Sequence, residues 1–281
     1  MKLKRRQRYG NKKAGASLDL PRPAPFPGSM EKNETIAAPP SFNAETQRAA
    51  AASDAKRLLR LARTGTLATL EPDSGAPLVT LVGVASDFDG EPLFLLSTLS
   101  RHTRHLARDP RASVLLAQAP ERGDPLNHPR VTLSGRMEQA DGESPRRRYL
   151  QRNPKAKLYA GFADFSFFRL RVENVHFNGG FGRAAPLSAA DVLSPRDAEA
   201  ALAEAEPALL DWVNGKGEEA VAGLAGRRPS GRRLWKAIGL DAEGLDLSAG
   251  QSGARLQFAS PAPDAAGWRD RVEASSRHET R

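Results

Sequence analysis

Leu93-Phe94-Leu95-Leu96-Ser97-Thr98-Leu99-Ser100-Arg101-His102-Thr103-Arg104-His105-Leu106-Ala107-Arg108-Asp109-Pro110-Arg111-Ala112-Ser113-Val114-Leu115-Leu116-Ala117 decides the fold of this chain. An apolar run of strand character, Leu93 to Leu96, breaks into hydroxyl residues. A short helix follows, Asp109-Pro110 ends it, and a second apolar run begins. The reading is strand, turn, short helix, strand. Hydroxyls, an arginine, a histidine and the backbone N–H groups of a helix start gather at the turn, and that chemistry suits a phosphate or another anion.

Upstream, Ala51, Ala55, Leu58, Leu59 and Ala62 recur at three- and four-residue spacing, which predicts an amphipathic helix from Thr46 to Thr64 closed by Gly65. Thr66 to Leu70 and Pro77 to Ala85 read as strands around a Pro72-Asp73-Ser74-Gly75 turn. Downstream, Pro120 to Pro129 reads as a connecting loop and Val131 to Met137 as a strand. Ser144 to Tyr149 opens a helix whose Arg146, Arg147 and Arg148 are expected on a solvated face. Phe168 to Glu173 alternates with period two, so Phe168, Leu170 and Val172 should face a core while Arg169, Arg171 and Glu173 face out. Gly180-Phe181-Gly182-Arg183-Ala184-Ala185 formally fits a dinucleotide fingerprint. Pro186 follows at once and no second parallel strand unit is visible, so that reading is rejected.

The absence of cysteine excludes disulfides, iron–sulfur clusters, covalent c-type haem and thiolate catalysis. Of the net charge of +9, residues 1–40 carry nine Lys/Arg against three Asp/Glu, a net of +6, leaving +3 for the rest. The excess is a tail property, so no nucleic-acid partner is expected, and residues 1–45 read as a disordered basic, proline-rich tail. Met30 offers an alternative start, which would make residues 1–29 an over-extended reading frame. No apolar run approaches the roughly 20 residues of a membrane helix, and the N-terminus lacks a signal-type apolar core. A cytoplasmic protein without membrane contact is expected.

The stretch Ser97 to Thr103, with Asp109-Pro110-Arg111-Ala112-Ser113 entering the next strand, resembles the FMN-binding split β-barrels of the pyridoxamine 5′-phosphate oxidase superfamily. In that superfamily a strand ending in Ser/Thr, followed by Ser-x-[His/Lys]-[Thr/Ala]-x-Asn, holds the FMN phosphate. Ser97, Ser100, Arg101, His102 and Thr103 match in order, with His105 where Asn is usual. The resemblance covers roughly Ala55 to Leu187. It implies a mainly β protein, a split antiparallel β-barrel with flanking helices over residues 46–190, and a homodimer with a small-molecule cofactor site between subunits.

Gly-Gly-Phe-Gly-Arg-Ala from 179 resembles the haem-utilisation branch, whose members commonly carry a small α+β domain after the barrel; residues 194–281 look like that domain. It usually bears His-Met-Asn-x-Asp-His at the end of its first helix. Here Trp212-Val213-Asn214-Gly215-Lys216-Gly217 keeps only the Asn, so no role resting on those histidines can operate.

Haem needs an axial ligand, normally a neutral imidazole. His176 at a strand end, His128 in the loop and His278 in the tail are the candidates, and no metal site is expected from the three-residue spacing of His102 and His105. The cofactor, haem or FMN, stays open, with Ser97, Ser100, Arg101, His102, Thr103 and His176 as binding residues. Two functions are carried forward: a redox protein of the haem-utilisation type, including oxidative haem degradation, and a non-catalytic haem or flavin binding or storage protein on the same fold. Pyridoxamine 5′-phosphate oxidation itself is disfavoured, because the oxidase's C-terminal Arg-x-His motif has no counterpart.

Overall fold

The computed structural model describes residues 44–117, 123–180, 184–194, 196–228 and 234–278. The tail expected over residues 1–45 lies outside them but for its last two positions, as do Pro120 to Arg122, Phe181 to Arg183 and the His278 side chain.

Helix α1 (Ala44–Leu61) buries Ala51, Ala55, Leu58 and Leu59, the face its spacing defines. It stops three residues earlier than expected, and Gly65 is not its cap but part of strand β1 (Thr64–Leu70). A Cβ on Gly65 would lie 2.7 Å from Val114 and 2.8 Å from Leu116, so close packing explains the glycine. Strands β2 (Pro77–Gly83), β3 (Ala85–Ser86) and β4 (Pro92–Ser97), the short helix α2 (Arg101–Leu106) and strand β5 (Arg111–Ala117) follow. Then come β6 (Arg130–Gln139), α3 (Glu143–Arg152), the long β7 (Phe165–Asn178), β8 (Ala184–Leu187) and α4 (Ala189–Val192).

The strands form one antiparallel sheet in the order β2-β1-β5-β6-β7-β4-β3, with β8 also on β7. Strand β7 makes the split. Its first residues pair with β4 from Phe165 to Arg169, and its last pair with β8 from Val175 to Asn178, while β6 runs along its other edge. A bulge breaks the β6–β7 register between Ser134 and Gly135, where β7 gains a residue and the sheet bends. A Cβ on Gly135 would lie 1.8 Å from the Arg171 carbonyl oxygen, so only glycine fits.

The run Leu93 to Leu96 is buried on both faces. Phe94 and Leu96 join the barrel core with α1, whereas Leu93 and Leu95 join Tyr149, Leu150 and Ala156 beneath α3. That two-sided burial is why the run is continuous rather than alternating. Burial pushes the Tyr149 phenol well above its ordinary pKa.

Beyond the barrel, α5 (Arg196–Asn214) and α6 (Glu218–Leu224) precede a three-stranded antiparallel sheet of β9 (Lys236–Asp241), β10 (Gly244–Ala249) and β11 (Ser252–Gln257), closed by α7 (Ala265–His278). Their core surrounds the fully buried Trp268, whose Nε1 donates to the Asp241 carbonyl at 3.1 Å. Asn214, the one residue kept from the histidine-bearing string, clamps α5 to β9. Its Nδ2 donates to the Ala237 carbonyl at 3.1 Å and its Oδ1 accepts from the Ala237 N–H at 2.9 Å.

Two expectations about arginine are overturned where the segments meet. Arg148 is buried, not solvated: it donates to Glu206 at 2.5 Å, to the carbonyls of Ser86 and Leu240, and lies 4.1 Å from the centre of the Phe88 ring. Arg147 reaches the same carboxylate at 2.8 Å. Consecutive helix residues diverge by about 100°, yet long guanidinium stems let both converge on one acceptor. Arg169 does not face open solvent either; it is mostly buried against Asp87, and Arg171 pairs with Glu91 at 3.0 Å and Glu138 at 2.7 Å. Below Arg148 the network continues through Arg60–Asp241 (3.0 Å), Arg255–Asp241 (2.7 Å), Arg255–Asp246 (2.8 Å) and Arg152–Asp246 (3.2 Å).

Candidate functional site

The turn from Ser97 to Ser100 links the end of β4 to α2 and holds itself together. Ser97 Oγ donates to Asp164 Oδ2 at 2.6 Å and accepts from the Leu99 N–H at 3.1 Å. The Thr98 N–H donates to the Asp164 carbonyl at 2.8 Å, and the Ser100 N–H to the Ser97 carbonyl at 3.0 Å. The N–H groups of Thr98, Leu99 and Ser100 are therefore engaged within the turn itself, ahead of the first turn of α2. Sequence reading missed Asp164, which sits 67 residues from Ser97 and carries no motif of its own.

Helix α2 lies on the edge of the sheet through its two histidines. His105 is buried with Nδ1 3.2 Å from Thr69 Oγ1, and His102, half-buried, has Nδ1 3.2 Å from Thr80 Oγ1. Burial, with a smaller contribution from His105, lowers the His102 pKa below its ordinary value, so the ring is neutral at physiological pH. His102 Nε2 and Thr103 Oγ1 are buried without hydrogen-bond partners. Arg101 and Arg104 are exposed on the same short helix. Ser97, Ser100, Arg101, His102 and Thr103 are thus together, with two polar atoms that lack partners.

His176 is elsewhere. Ser97 pairs with Phe165 at the start of β7, and His176 lies eleven residues further along that strand, up to about 35 Å away at ~3.3 Å per residue. His128 belongs to the His176 end: it lies two residues before β6, whose Arg130 pairs with Asn178. The 3₁₀ turn Pro125–Asn127 packs there on Gly180, where a positive φ of 105° and a Cβ position only 2.5 Å from the Asn127 carbonyl oxygen both demand glycine. One chain therefore has an anion-type end and a histidine end.

Between them runs an uncovered sheet face. Across the strands, Leu81, Thr66, Leu115, Thr132, His176 and Pro186 stand side by side, and Val79, Ala68, Ser113, Ser134 and Asn174 form the neighbouring row. No acidic, lysine or arginine side chain interrupts either row. Leu81 is 75% exposed and Val79 58%, both on the edge strand β2. Natural edges are normally protected by charge, proline or a bulge; β2 carries only Pro77 at its start. Among the described residues no helix is long and apolar enough to cross a membrane.

The bent antiparallel sheet, opened at β7 and flanked by α1 and α3, defines a split β-barrel, as Ser97 to Thr103 led the sequence reading to expect. The chain belongs to the CREG β-barrel family, whose profile residues 46–194 match. A solved protein of unknown function from Agrobacterium tumefaciens, Atu2129, is similar over 86% of this chain and all of its own, at 33% identity and a TM-score of 0.69. The chloroplastic "Non-canonical heme oxygenase HOZ" of Arabidopsis thaliana is 35% identical over 113 residues, 39% of this chain. The present chain spans about a third of that relative's length, 34%.

Proposed function

We propose that this protein binds haem as a homodimer of split barrels and acts as a redox protein of the haem-utilisation type. The observation that carries this reading is the exposed His176 in an uncharged, partly apolar sheet face, which offers an axial imidazole beside a surface suited to a flat macrocycle. The plant relative's name, a haem oxygenase, supports the same ligand class. Haem so held supplies the redox and oxygen chemistry. The residues of this chain supply the imidazole, the apolar contact and, at the opposite end, the cations Arg101 and Arg104 for propionates.

A homodimer is part of the reading because one chain keeps these two ends apart. Two-fold pairing through the uncharged face covers the exposed Leu81 and Val79 and sets the Ser97 to Thr103 turn of one copy toward the histidine end of the other. FMN is the weaker candidate. An FMN phosphate in the turn would meet the Asp164 carboxylate and a serine proton already committed to it.

The test is a titration of the purified full chain with haem, followed by incubation of the complex with ascorbate and oxygen. Saturable binding with loss of the haem absorption on reduction is expected. Saturable binding without turnover would make it a binding or storage protein instead, and no saturable binding would overturn the proposal.

A further inference from the structure

A cleft away from the Ser97 to Ser100 turn lies where the C-terminal end of α1 meets the β10–β11 hairpin, with its Ala117 two strands across from Asn178 at the His176 end of the sheet. Its volume is about 210 Å³, equivalent to roughly seven waters at the ~30 Å³ each occupies in the liquid. Leu58, Leu61, Ala62 and Ala117 give it apolar walls, and Arg63, Thr64 and Gln251 are its polar groups.

Arg63 is the group the fold leaves unexplained. It is half-buried, its Nη1 donates to the Gly250 carbonyl, and no carboxylate among the described residues pairs with it. Burial lowers its pKa with no opposing charge to restore it. Its surroundings are already cation-rich: the neighbouring network holds three guanidiniums, Arg60, Arg152 and Arg255, against two carboxylates, Asp241 and Asp246. Arg63 and Arg152 also repel one another. A guanidinium has five N–H donors, and one bond to a carbonyl leaves most of them for a ligand.

We propose that this cleft is a binding site for a small amphipathic monocarboxylate, with the carboxylate on Arg63 and the hydrocarbon chain against Leu58, Leu61 and Ala62. One unpaired cation matches one negative charge, and the apolar walls disfavour a fully hydrated anion such as phosphate. At about 210 Å³ the cleft is too small to enclose a tetrapyrrole. It joins α1 to the C-terminal sheet, so an occupant fastens the two segments together.

Calorimetric titration of the full chain with hexanoate, hexan-1-ol and inorganic phosphate tests the assignment. Hexanoate should bind at one site per chain, with hexan-1-ol and phosphate at least tenfold weaker. Arg63→Gln should weaken hexanoate at least tenfold. Gly253 also lines the cleft, and a Cβ there would make only ordinary contact, 3.5 Å from Leu61 Cδ2, so Gly253→Ala should fold normally while narrowing the site and weakening hexanoate several-fold. Equal binding of hexanoate and hexan-1-ol, or hexanoate affinity unchanged in Gly253→Ala and in folded Arg63→Gln, would overturn the proposal.

Discussion

Ser97 Oγ donates its one proton to Asp164 Oδ2 at 2.6 Å, and the same carboxyl residue takes the Thr98 N–H on its backbone carbonyl. An internal carboxylate is thus bonded to the turn that an external anion would approach. Two negative charges about 4 Å apart repel by ~4 kcal/mol at an effective dielectric of 20, and partial exposure of Asp164 reduces that value.

Asp164→Asn should therefore admit phosphate-bearing ligands. The substitution keeps an acceptor for Ser97 and removes the charge, and even ~1.4 kcal/mol of relieved repulsion is a tenfold gain. Quenching of FMN fluorescence is expected to show at least tenfold tighter binding to the variant than to the wild type. Equal affinities would mean that Asp164 does not guard the turn.

Arg148 is expected to be among the most sensitive side chains for stability. Replacing it by Met strands the buried Glu206 with only Arg147 and empties the carbonyls of Ser86 and Leu240 of their donor. Breaking a buried pair from one side costs about 3–5 kcal/mol. Urea denaturation followed by tryptophan fluorescence should show that loss, with a smaller one for the Arg148→Met, Glu206→Leu double variant. A loss below about 1 kcal/mol for the single variant would contradict the description of the joint.

Acid should loosen the same joint. Burial alone would raise the Asp241 pKa, but Arg60 and Arg255 outweigh it and hold the carboxyl at about 2, below its ordinary 3.8. A depressed carboxylate pKa contributes stability that is fully present above the unfolded value and lost as pH falls from about 4 toward 2. Asp241→Asn should be less stable than the wild type at pH 7 and show a shallower loss across that window. Parallel acid limbs for the two proteins would show that Asp241 is not the group responsible.

The uncharged sheet face should hold the two copies together. A lysine in the middle of a packed apolar surface leaves an unpaired charge there, so Leu81→Lys combined with Leu115→Lys is expected to yield a monomer. Light scattering coupled to size exclusion should give twice the chain mass for the wild type and the chain mass for the variant. A monomeric wild type would remove the dimer from the account.

The barrel was legible because its signals are local. Leu93 to Leu96 followed by hydroxyls gave the strand and turn, and the three- and four-residue spacing from Ala51 to Leu59 gave the face of α1. What escaped depends on distant partners. Arg147 and Arg148 read as surface residues because Glu206, which draws both inward, lies in another segment of the chain. Asp164 gave no sign of its bond to Ser97 for the same reason. Gly65 looked like a helix cap because sequence shows a glycine but not the Val114 and Leu116 side chains crowding it. The candidate site was readable as the contiguous run from Ser97 to Thr103, whereas its distance from His176 needed the length of β7.

The most direct measurement is the absorption spectrum of the haem-loaded protein beside its His176→Ala variant. A histidine-ligated haem in the wild type, with a sharp Soret band that shifts and broadens in the variant while both remain folded dimers, is the result this account predicts. Identical spectra for the two proteins would contradict it, because the axial ligand would then lie outside the uncharged face.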